Sequence, residues 1–109
     1  MALTYKVLGQ KIPAGNTDTQ LYVVPSLTST VVSTINICNQ NTANGSFRIS
    51  VRQANAASNT AQYIAYDTII PNNDSISMTL GITLATTDTI FVYANSAFVS
   101  FNLFGSEIS

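Results

Sequence analysis

Across residues 76–84 every second residue is apolar: Ile76, Met78, Leu80, Ile82 and Leu84 alternate with Ser77, Thr79, Gly81 and Thr83. A side-chain period of two belongs to a β-strand with one dry and one wet face. Wound as a helix, the same residues would scatter around the circumference. The alternation recurs along the chain. Phe47, Ile49 and Val51 oppose Arg48, Ser50 and Arg52; Val99, Phe101 and Leu103 oppose Phe98, Ser100, Asn102 and Phe104. Val31, Ile35 and Ile37 share one parity against Thr34, Asn36 and Cys38. Residues 90–94 are apolar on both faces, residues 63–70 and 20–24 are rich in strand formers, and residues 5–8 add a shorter candidate. Eight strands in 109 residues predict one all-β domain over residues 1–109, an antiparallel β-sandwich with jelly-roll or Greek-key wiring.

Turn chemistry separates these runs. Pro13-Ala14-Gly15-Asn16 and Pro71-Asn72-Asn73-Asp74 set a fixed φ beside residues that tolerate positive φ. Asn44-Gly45 is a turn signal between two strand patterns, and Ala85-Thr86-Thr87-Asp88 and Ala94-Asn95-Ser96 are short enough for hairpins. Residues 54–60, small and polar, are the expected mobile loop.

Composition removes several functions. Four basic and five acidic residues leave net charge −1, with no basic stripe to follow a nucleic-acid backbone. Without histidine there is no His–Ser or His–Cys catalytic pair and no imidazole metal ligand. The single cysteine, Cys38, rules out an intrachain disulfide and a multi-Cys zinc site. No apolar run approaches the roughly 20 residues of a membrane-spanning helix, and residues 1–10 lack the pattern of a signal peptide. The expectation is a soluble product of the cytoplasm, with no cofactor and no enzymatic role. Charged residues make up only 8% of the chain, against 14 Thr, 12 Ser, 11 Asn and 5 Gln. Such a surface suits packing into an assembly, where a buried unpaired charge is costly, or binding of neutral sugars.

Asp67, within an apolar strand, lacks a visible catalytic partner and is better read as hydrogen-bonded within its strand or paired with Arg48 or Arg52. Asp18, Asp74 and Asp88 lie in turn-like segments without the spacing of a calcium loop, so Asx-turns account for them. Arg48 and Arg52 share parity on one strand and are candidate contacts to a partner protein. Tyr63, Tyr66 and Tyr93, with Phe91 and Phe98, are read as core aromatics, the alternative being a platform for sugars.

Leu21-Tyr22-Val23-Val24-Pro25, then Val31-Val32-Ser33-Thr34-Ile35-Asn36-Ile37-Cys38-Asn39, resembles the opening of small β-sandwich structural proteins of tailed bacteriophages. The resemblance continues through residues 47–52, 63–67 and 100–108. It implies a virion component: a capsid decoration or cement protein bound to the major capsid protein lattice, or a tail, baseplate or fibre module with host-surface glycan binding. It also implies a homo-oligomeric or lattice-bound state and no catalytic residues. The docking segments expected on this reading are residues 1–8 and 105–109, with Tyr5, Lys6 and Glu107 as contacts beside Arg48 and Arg52.

Overall fold

All eight expected strands form in the computed structural model, which describes residues 2–109. They are β1 (Leu3–Lys11), β2 (Thr19–Val23), β3 (Ser29–Asn39), β4 (Gly45–Arg52), β5 (Tyr63–Ile70), β6 (Ser75–Leu84), β7 (Thr89–Ala94) and β8 (Val99–Ile108). Two antiparallel sheets result, sheet I in the order β1-β8-β3-β6 and sheet II in the order β2-β7-β4-β5. Pairing is nested: β1 with β8, β2 with β7, β3 with β6, β4 with β5. The chain is therefore a long double ribbon, closed at β4–β5 and wrapped into two layers by the β3–β8 and β4–β7 pairings. This is the jelly-roll wiring, and it joins first and last strands at one side of the sandwich.

The expected hairpins do not form at Asn44-Gly45, Ala85–Asp88 or Ala94–Ser96. Each of those turns carries the chain from one sheet to the other, and only β4 and β5 pair with their neighbour in sequence. Turn residues set a reversal; what the next strand pairs with is decided by its inward face. The β4–β5 connection, which contains the expected mobile loop, has local hydrogen-bonded structure. It holds a turn at Gln53–Asn55, with Ala54 and Asn55 at positive φ, and a 3-10 turn at Thr60–Gln62 closed by a reciprocal Asn59–Gln62 capping box.

The core lies between the sheets, with Phe47 of β4 and Phe101 of β8 meeting edge to face at 6.2 Å between ring centroids. Along β6 the alternation holds: Ile76, Met78, Leu80 and Ile82 pack against the core while Ser77, Thr79 and Thr83 are exposed. In β3 one assignment changes. Val32, not Val31, is fully buried with Ile35 and Ile37, because the pairing register slips at Ser33 and reverses the parity. The slip runs across sheet I, through Leu8 in β1 and Leu80–Gly81 in β6. Gly81 takes φ +65° there, the left-handed geometry for which glycine suits a bulge.

Candidate functional site

Tyr63, Tyr66, Phe91 and Tyr93, expected in the core, lie instead on the outer face of sheet II with the two arginines, because they fall on the parity opposite to the buried apolar residues of β4 and β7. Strand register sets Arg48 on β4 beside Tyr93 on β7, and the Arg48 guanidinium lies 4.3 Å from the ring centroids of both Tyr93 and Tyr66. Asp67 reaches the same group: Arg48 Nε donates to Oδ1 at 2.6 Å and Nη2 to Oδ2 at 3.3 Å. Asp67 achieves this from a bulge in β5, at φ 48°, a conformation that Asp tolerates better than most residues. Tyr63 packs edge to face on Tyr66 at 4.9 Å. The Arg48–Asp67 hydrogen bonds hold the guanidinium pKa above its ordinary value, so Arg48 stays charged and offers no acid–base chemistry.

Arg52 repeats the arrangement one step along. Its guanidinium sits 3.6 Å above the Phe91 ring and its Nη2 lies 3.4 Å from Asp18 Oδ2. Phe98 stands apart from this cluster, exposed in the turn before β8. The remaining aspartates cap backbone: Asp88 accepts from the amides of Ala54 and Ala85, and Asp74 from that of Ser75. No group of three His, Cys, Asp or Glu gathers among the described residues.

A second polar cluster joins the sheets near the termini. Tyr22 on β2 donates to Glu107 Oε2 at 2.5 Å and shares a 2.7 Å hydrogen bond with the Thr30 hydroxyl, while Lys6 Nζ lies 3.1 Å from Glu107 Oε1. Burial, then the neighbouring carboxylate, pushes the Tyr22 phenol well above its ordinary pKa. The Tyr22 and Lys6 hydrogen bonds hold the Glu107 carboxyl below its usual range. Glu107 and Lys6 are thus bound within the molecule, and Tyr5, 79% exposed, points away from it.

The docking segment expected at residues 105–109 is not free. β8 is hydrogen-bonded to β1 on one side and β3 on the other, so removing it would split sheet I. β1 is an edge strand, and the part of residues 1–8 within the described residues keeps one open side; Met1 lies outside them.

Sequence reasoning passed over Tyr22 and Thr30, whose partners are distant in sequence, and Asn39. Asn39 is 1% exposed; its Nδ2 donates to the carbonyls of Ala43, Ile70 and Pro71 and its Oδ1 accepts from the Asn41 amide. One signal existed: Asn39 falls on the inward parity of Ile35 and Ile37, where a polar side chain needs buried partners.

No known protein family and no curated protein matches the chain. Among solved structures, a chain of the infectious bursal disease virus Gx strain superposes at TM-score 0.52 and 11% identity, over 97% of this chain and 30% of that one. A chain of the Gt strain gives 0.48 at 8% identity, over 96% and 31%. A pentameric capsid protein isolated from metagenomic phage sequences gives 0.40 at 17% identity, over 95% and 63%. This chain spans about a third of the length of the bursal disease virus chains and under two thirds of the pentameric one. At 11% identity, what it shares with the Gx-strain chain is the fold, an eight-stranded β-sandwich.

Proposed function

We propose that this chain is a virion structural protein, a capsid decoration or cement subunit that binds and stabilises the major capsid protein lattice. The observation that carries the reading is the jelly-roll wiring in a chain without histidine. Jelly rolls of this kind serve viral shells, lectins and cupins. A metal-centred variant needs a ligand cluster, and no group of three His, Cys, Asp or Glu gathers among the described residues, which favours assembly and sugar binding. Assembly is favoured further because three ion pairs, Lys6–Glu107, Arg48–Asp67 and Arg52–Asp18, tie up most of the few charges within the molecule. Tyr5 on the open β1 edge is the contact proposed toward virion neighbours; Lys6, Arg48 and Arg52 are engaged by Glu107, Asp67 and Asp18.

The second reading, a tail or fibre module that binds host glycans, draws on Tyr66. The residue is 56% exposed, with Arg48 over its ring and Asp67 beside it, a combination of aromatic surface and hydrogen-bonding groups that suits a sugar. Particles lacking the protein separate the two. On the cement reading they assemble but break at lower temperature or on osmotic shock; on the glycan reading they stay robust and lose host attachment. Unchanged robustness and attachment would refute both.

A further inference from the structure

The two outer faces of the sandwich differ in kind. That of sheet II carries Arg48, Arg52 and Asp67, whereas that of sheet I carries no Asp, Glu, Lys or Arg among the described residues. Lys6 and Glu107 lie on its inner side, against Tyr22. Lys11 takes the side of its cross-strand partner Phe101, whose ring is in the core. In place of charge there is an apolar band rimmed by Ser, Thr and Asn. Leu3, Tyr5 and Val7 on β1 are 52%, 79% and 46% exposed, and Phe104 on β8, directly opposite Val7, is 37% exposed.

We infer that the outer face of sheet I is a self-association surface, on which a second copy of this chain packs face to face. A two-fold interface sets a patch against itself, so a face with charges of one sign would repel its own copy. This face has no charge to oppose. Its area suits a weak dimer: ten-residue strands at roughly 3.3 Å per residue, four strands about 4.8 Å apart, span on the order of 600 Å² before side-chain corrugation. A standard stable interface buries about 800 Å² per partner. The flat face as a whole is below that figure, so its Ser, Thr and Asn rows must all join the contact and the affinity is modest. Two twisted sheets pack this way with their strands within about 30° of each other. The inference deepens the assembly reading and rests on it for its biological setting.

Sedimentation of the full chain across roughly micromolar to millimolar concentration, the range of modest protein affinities, tests it. The expected result is a concentration-dependent dimer. Tyr5→Arg and Thr79→Lys, both at exposed positions of this face, should each weaken it at least about tenfold, the effect of roughly 1.4 kcal/mol. Ile69→Lys, exposed on the outer face of sheet II, should leave it unchanged. Circular dichroism checks that each variant keeps its fold, and two independent sites guard against one that does not. A monomer at every concentration overturns the inference, as does a dimer sensitive to Ile69→Lys and indifferent to the other two. Presence of the protein in purified particles is scored separately. A monomer that still enters particles refutes the self-association face alone, while absence from particles refutes the assembly reading.

Discussion

Asn39→Ala removes one buried amide and leaves four backbone groups to find other partners. The Ile70 carbonyl bond is fully buried and the other three are partly so. An unsatisfied buried polar group costs about 1–3 kcal/mol, and a typical hydrogen bond contributes about 0.5–1.5 kcal/mol. Water can reach the partly buried groups, so the expected loss is about 2–4 kcal/mol rather than the full sum. For a domain of this size, total stability is on the order of 5–15 kcal/mol. The unfolding midpoint should therefore fall by roughly 10–20 °C, readable by calorimetry or circular dichroism. Asn36→Ala is the control. Asn36 lies on the outer face with a single exposed hydrogen bond to Ser77, and its loss should cost under about 0.5 kcal/mol. Asn39→Asp sharpens the test by setting carboxylate oxygens against the carbonyls that Nδ2 now serves. Its folded pKa would lie above the unfolded value of about 3.9, so the variant should be least impaired below that pH and lose stability as pH rises through the folded value. Equal midpoints for Asn39→Ala and Asn36→Ala would refute the claim that the Asn39 side chain ties β3 to the end of β5.

The wild-type protein should lose stability as pH falls through the lowered pKa of Glu107, the contribution being complete above the ordinary carboxyl value of about 4.3; acid titrations of Glu107→Gln should show a shallower decline. Leu80→Ala should cost about 1.5–3 kcal/mol, the low end for core leucines because β6 is an edge strand, and Thr79→Ala under about 0.5 kcal/mol; equal urea midpoints would mean the parity is wrong. Gly105→Ala should be the harsher of two glycine changes, because its Cβ would collide with the Val31 carbonyl inside sheet I. Gly81→Ala meets no neighbour and should cost only about 1–2 kcal/mol from its positive φ, by chemical denaturation.

The strands and their facings were legible because side-chain period is a local property. Phe47, Ile49, Phe101 and Leu103 face inward as their alternation requires, and the absence of histidine set the same limits on chemistry before and after folding. That Asp67 would meet an arginine was legible, but Arg48 and Arg52 were equal candidates until the β5 bulge brought Asp67 to Arg48. Sequence alone did not show that Tyr66 and Tyr93 would clasp that arginine, nor that Glu107 would be held by Tyr22, because those contacts depend on strand order and on bulges. A one-residue slip at Ser33 moved Val32 into the core and Val31 out of it. Wiring was likewise a tertiary decision: the turn at Asn44-Gly45 reads alike for a hairpin and for a crossing between sheets. What selects between them is the burial of both inner faces at once, a property of the assembled layers that no single segment carries.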